Sequence, residues 1–232
     1  MRKNKGFTTI ELLISLSLFL LILIFALRII SINKRIFYKL KSDEETLEFS
    51  FSALEKIKID VLEAGRLLKS PKLDSIQIHE NKLIIKTGEI NSRLLENAYK
   101  GARVIRVQAP KYFKKNRNIL IKGKNNEEIS EILKKSGSDL ILREPLTFEY
   151  KKEETNIILI RKIIYFLDLK KVLRRKVNNS PAQPLIENID HFEASYSKNQ
   201  NLLFIKFIKN NKTFKEIIFP KNLFLLRSQS NE

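Results

Sequence analysis

Two histidines, His79 and His191, are the only imidazoles in 232 residues, and the chain has no cysteine. That composition excludes thiol nucleophiles, iron–sulfur clusters, disulfide staples and zinc sites of the cysteine type. The histidines lie far apart in sequence, both in strand-like contexts, which points to structural or surface placement. The stretch IKGKNNEEIS (121–130) carries a Gly-Lys pair but lacks the spacing of a phosphate-binding loop. There is no Gly-x-Ser-x-Gly elbow, and Glu153, Glu154, Asp168 and Glu187 sit among lysines as solvated charges would. The expectation is a chain that is not an enzyme, with no catalytic residue, no cofactor and no metal ligand. One acidic residue stands apart from that pattern. Glu11 opens an otherwise uncharged apolar run, and a carboxylate there needs a partner.

The elements that must hold Glu11 follow from the run itself. Between Leu12 and Leu27 no residue is charged, and only Ser15 and Ser17 are polar. Extended back to Phe7, the run makes a helix of roughly 30 Å, the thickness of a bilayer core. About a dozen Leu, Ile and Phe residues at roughly −0.3 to −0.6 kcal/mol each outweigh one carboxylate near a helix end. A cleaved secretory signal would have a shorter core followed by small residues. Here the run continues into IFALRIISINKR with no Ala-x-Ala, so the segment is expected to stay. Charge orients the span poorly: Arg2, Lys3 and Lys5 precede it, and Arg28, Lys34 and Arg35 follow it.

The order of residues is more specific than their charge. A short basic leader is followed by Gly6, Phe7, two small polar residues, Ile10 and Glu11, and then by the apolar run. This resembles the N-terminus of type IV pilins and type II secretion pseudopilins. The resemblance implies cleavage between Gly6 and Phe7 by a membrane-embedded prepilin peptidase, with N-methylation of Phe7. Glu11 would then be the signature carboxylate that pairs subunits. It also implies a single pass through the inner membrane with the head outside the cytoplasm, followed by transfer into a pilus or pseudopilus. Physically, cleavage frees a cationic amine at the end of an apolar helix. An amine on one subunit and Glu11 on another can neutralise each other away from water, which would specify axial stagger. The implied partners are the peptidase, other major and minor pilins, and membrane lipid before assembly.

Helical periodicity continues past the span. Ile29, Ile36, Leu40, Leu47, Phe51, Leu54, Val61 and Leu68 recur at steps of three, four or seven residues, with charges between them. The expected helix reaches residue 70, with Gly65 a weak point and Pro71 a stop. Many main pilins carry a proline soon after the apolar run, and this chain has none there, which favours a minor subunit. Beyond Pro71 the period changes to that of strands. A hairpin is expected at 75–79 and 82–86, with further strands at 103–109, 118–122, 139–143 and 146–151. The strongest strand is NIILIRKIIYFL, Asn156–Leu167, and residues 127–135 are expected to form a short helix. The last third reads as a meander with strands at 189–197, 202–208 and 213–219. The fold class expected is α+β and pilin-like: a long membrane-spanning N-terminal helix packed on a mostly antiparallel sheet. The organisation is a leader at 1–6, a span at 7–27, an amphipathic continuation at 28–70 and a β-rich head at 71–232.

Three downstream stretches are similar to the PilW and GspJ type of minor subunit. These are KIKIDVLEAGRLL (56–68), GSDLILR (137–143) and the segment 163–197, which contains a Leu-Arg-Arg strand. The resemblance implies a structural subunit that helps initiate or cap filament assembly. An unprocessed, single-span membrane-anchored binding protein stays open as the alternative. The balance of 44 Lys+Arg against 26 Asp+Glu, formally +18, attracts anionic partners. The basic residues are scattered rather than blocked, so contact with nucleic acid rests on charge alone.

Overall fold

The computed structural model describes residues 8–70 and 73–223; Gly6, Phe7 and Pro71 lie outside them. The chain divides into two compact units between Phe49 and Ser50. Among the described residues, helix α1 (Thr9–Leu62) supplies all the regular structure of the first unit. Its large apolar side chains from Ile10 to Leu40 are exposed, as expected of a helix that finds its apolar partners outside the chain. The two serines in the run donate to helix carbonyls three residues back, Ser15 Oγ to Leu12 O at 2.9 Å and Ser17 Oγ to Ile14 O at 2.8 Å. Neither hydroxyl then needs water, so neither opposes burial in hydrocarbon.

Among the described residues the second unit holds twelve strands and the end of α1. From Ser50 onward α1 buries Ala53, Leu54, Ile57 and Val61, a stripe at three- and four-residue spacing. This seam differs from the expected one. Phe51 is 62 % exposed and touches the head only edge-on at the Phe214 ring, while Ile57 and Ala53 carry the contact. The small alanine lets the helix approach the sheet closely. The helix also ends earlier than expected, at Leu62 rather than residue 70. Gly65 takes a left-handed conformation (φ 76°), and its N–H leaves the helix to donate to Lys86 O at 2.9 Å. A side chain at Gly65 would meet Leu223 Cδ2 at 2.6 Å.

The larger sheet is built around β7 (Asn156–Leu167). One edge of β7 pairs with β2 (Lys82–Arg93) over residues 156–166. Its other edge is shared: β4 (Asn118–Lys122) covers residues 156–159, and β8 (Leu173–Val177) covers residues 163–167. Beyond β2 lies β1 (Ile76–His79), in the expected hairpin, with Glu80 in its turn at φ 51°. Beyond β8 lies β9 (Gln183–Ile186). Outward from β4 the order is β5 (Glu127–Ser136), β6 (Asp139–Leu142) and β3 (Val104–Arg106). A second sheet is the expected meander of β10 (Ile189–Ser197), β11 (Leu202–Lys209) and β12 (Lys212–Ile218). Its last turn places Asn210 and Asn211 at φ 50° and 60°, the pair of left-handed residues that a two-residue hairpin of type I′ requires.

Two expectations fail here. Residues 127–135 form a strand, not a helix. The Glu- and Lys-rich sequence favours a helix locally, but Ser130 and Ile132 are buried at a spacing of two while β4 and β6 offer two edges to pair with. Residues 146–151 form no strand; their ladder contact is one isolated bridge, Ala98 to Tyr150.

Two main cores result. One lies among α1, the β1–β2–β7–β8 region and the meander, with Tyr165, Phe192, Phe207 and Ile57 fully buried. The other, around Phe113, Tyr150, Ile119 and Ile157, lies under β3 to β6. Gly88 sets how closely the chain after α1 can lie on β2. It sits beside a bulge, and a Cβ there would be 2.7 Å from Leu67 Cβ, 2.8 Å from Arg66 O and 2.9 Å from Ile158 Cγ2. Gly88→Ala is expected to destabilise the head by about 1–3 kcal/mol, the usual cost of overpacking. Urea unfolding of the full chain in detergent, followed by circular dichroism, measures it; no loss would show that the contact gives way freely.

Candidate functional site

Glu11 stands in the first turn of α1, and the structure gives it a partner in its own chain. Thr8 donates twice to Glu11 Oε2, from its backbone N–H and from its hydroxyl, each at 2.9 Å. The Glu11 N–H donates back to Thr8 Oγ1 at 3.3 Å. This is a reciprocal capping box, with threonine at the N-cap and glutamate three residues on. Such a cap satisfies helix N–H groups that have no carbonyl to reach, and it places a negative charge at the positive end of the helix dipole. The signal was present in the sequence as Thr8-Thr9-Ile10-Glu11 directly before an apolar run. It bears directly on the search for a partner, because one carboxylate oxygen is engaged without a second chain. The other, Oε1, accepts no hydrogen bond among the described residues. Gly6 and Phe7 lie outside those residues, so the expected cleavage site has no geometry here.

A second constellation joins residues that sequence reading kept in separate motifs. Asp60 on α1 is buried (3 % exposed) and accepts a bidentate contact from Arg175 on β8. The bonds are Arg175 Nε to Oδ2 at 2.7 Å and Nη2 to Oδ1 at 3.1 Å. The Tyr165 hydroxyl on β7 donates to the same Oδ2. Burial, and then the Asp60 carboxylate, push the Tyr165 phenol far above its ordinary value, so it stays a donor. Burial opposes the charge on Arg175, but hydrogen bonding and attraction to Asp60 outweigh it and hold the guanidinium more firmly protonated. The three side chains clasp the helix end to the sheet. Asp60 and Tyr165 are buried, Arg175 is nearly so, and their bonds are made to one another.

The remaining candidates are dispersed. His79 and His191 are exposed on different strands, and His191 Nε2 lies 3.6 Å from Glu193 Oε2. Among the described residues no group of three or more His, Asp or Glu side chains is placed to hold a metal ion. Asp168 is occupied by a turn: it accepts from Arg174 Nε and from the N–H groups of Lys170 and Val172, and these bonds, led by Arg174, lower its pKa. Glu153 lies beside Lys152.

Taken together these features define an α+β chain whose N-terminal helix is long and apolar enough to cross a membrane and whose second unit is built mostly of antiparallel strands. No protein-family model, curated protein or solved structure matches the chain.

Proposed function

We propose that the chain is a minor pilin or pseudopilin, a structural subunit that helps initiate or cap a type IV pilus or type II secretion pseudopilus. The observation that carries this reading is Glu11, fixed by Thr8 in the first turn of a helix whose apolar side chains from Ile10 to Leu40 the chain leaves uncovered. A helix exposed on all sides needs either lipid or other helices around it, and a filament core supplies the second after the membrane has supplied the first. In this reading prepilin peptidase cuts between Gly6 and Phe7 and methylates Phe7. The chain then waits as a single-pass inner-membrane protein with its head outside the cytoplasm. Thr8 stays an amide after that cut, so the capping box survives and Glu11 is held at a fixed height on the helix. Its free oxygen then faces the terminal ammonium of a neighbouring subunit, and major and minor pilins are the partners. The pilin-like fold belongs to this proposal, as does the absence of catalysis.

The capping box also favours a second reading, because it accounts for Glu11 with no other chain present. In that reading the protein is an unprocessed single-span anchor carrying a binding domain, and its cationic surface meets DNA or another anionic partner. Mass spectrometry of the N-terminus, on protein from its native membrane, separates the two. Chains beginning at N-methylated Phe7 are expected; chains retaining Met1 or residues 2–6 would end the filament reading.

A further inference from the structure

Where β4 and β8 part from the edge of β7, the sheet leaves a cavity of ≈ 380 Å³ between them. Its charged lining is mostly cationic: Lys86, Arg117, Lys162 and Lys176, with one carboxylate, Glu131. Lys86 on β2 stands directly opposite Lys162 on β7, and Lys176 on β8 pairs with Ile164, two residues along β7 on the same face. Like charges directly opposite in an antiparallel pair are destabilising, and a fold keeps them at a cost unless something lies between them. The nearby carboxylates are committed elsewhere. Glu131 holds Arg143 at 2.9 Å, Glu89 holds Arg117, and Asp74 holds Lys198 at 3.2 Å. None of the three lysines has a hydrogen bond or ion pair with a carboxylate among the described residues.

Neutral donors join them. Asn178, left-handed at φ 51°, uses its Oδ1 to accept from the Lys162 N–H at 2.9 Å, which turns its amide nitrogen away from that bond. Arg117 donates through Nη2 to Ile160 O at 3.0 Å, where β7 lacks a neighbour on this side, and its Nε is buried with no partner. We propose that this fork is a binding site for an oxyanion of the phosphate type, held by Lys86, Lys162 and Lys176, with Arg117 and Asn178 as additional donors. Three ammonium groups exceed by one the charge of a phosphate dianion or a phosphoryl monoester dianion, and lysine serves phosphate as a mobile point charge. The volume falls at the small end of ligand pockets, which suits one phosphoryl group with a short substituent. Burial first, and then Lys162, lower the pKa of Lys86 against the opposing pull of Asp74, and a bound anion relieves what remains. The site rests on no assumption about a filament.

The test uses the full chain in detergent at constant ionic strength, with inorganic phosphate, glycerol phosphate and chloride as probes, read by calorimetry and phosphorus NMR. Saturable 1:1 binding of phosphate over chloride is expected. Lys86→Met and Lys162→Met should each weaken it at least tenfold, while Lys100→Met, at an exposed lysine outside the cavity, should change it less than twofold. Tighter binding of glycerol phosphate than of inorganic phosphate assigns the site to a phosphoryl group on a larger molecule; the reverse assigns it to the free ion. Removing either opposed lysine should leave the fold intact or raise its melting temperature, and Lys176→Met serves if one variant misfolds. Absence of saturable binding, or an equal loss in Lys100→Met, would overturn the proposal in favour of diffuse surface charge.

Discussion

Asp60→Ala should destabilise the head by about 3–5 kcal/mol, the usual cost of removing one partner from a buried ion pair. The charge left behind is the reason. Arg175 keeps its guanidinium in a site where its side chain is only 11 % exposed, and the Tyr165 hydroxyl loses its acceptor as well. A guanidinium cannot escape by deprotonating, so the penalty is paid in full or the strand must move. The double variant Asp60→Ala/Arg175→Met is expected to recover much of the loss, since a buried pair replaced on both sides by apolar groups is often near neutral. Urea unfolding of all three proteins in detergent completes the cycle. A loss below about 1 kcal/mol for Asp60→Ala would mean that Arg175 simply swings into water, and the clasp would not be the device holding the helix end to the sheet.

The second large effect concerns assembly. On the filament reading proposed above, Glu11→Ala should still be cut by prepilin peptidase but enter filaments at least tenfold less than the unsubstituted chain. Alanine alone cannot say why, because it removes both the charge and the cap. Glu11→Gln separates them: glutamine at the third helical position still completes a capping box with Thr8, but it carries no charge for a neighbouring ammonium. The expected result is that Glu11→Gln assembles as poorly as Glu11→Ala, while Thr8→Ala, which removes the cap and keeps the charge, assembles far better than either. Immunoblotting of sheared filaments against membrane fractions measures all three. Normal assembly of Glu11→Gln would reduce Glu11 to a helix cap and leave the intersubunit pairing without support.

The contrast between those two sites shows which kinds of interaction a sequence makes visible. The capping box is local, with both partners within four residues, and Thr-x-x-Glu spells it out; asking only for a distant partner hid it. Asp60 and Arg175 are 115 residues apart. Each stood in a recognisable stretch, yet nothing in either says that α1 and β8 meet. The phosphate-type cavity is less legible still, since it depends on which edges of β7 are taken by β4 and β8 and on Lys86 facing Lys162 across a register.

Where hydrophobic period and turn chemistry agree, the linear chain settles the element unaided. The apolar run of α1, the strand β7, the β1–β2 hairpin and the meander β10–β12 were all legible in this way, β7 and β10 to the residue, whereas β2 runs on to Arg93, beyond the expected residue 86. Their patterns are strong because each residue's environment repeats every two or every 3.6 positions. Tertiary structure decided the rest. Residues 127–136 are a strand because two neighbouring edges satisfy their backbone groups better than a lone helical turn, whatever their propensity. Helix α1 stops at Leu62 because Gly65 can turn left-handed just where Lys86 O awaits its N–H. Ala53 and Ile57, not Phe51, became the seam because the sheet admits a close approach and leaves the large ring outside. In each case the deciding partner lies far along the chain, so its influence exists only once the fold has brought it near.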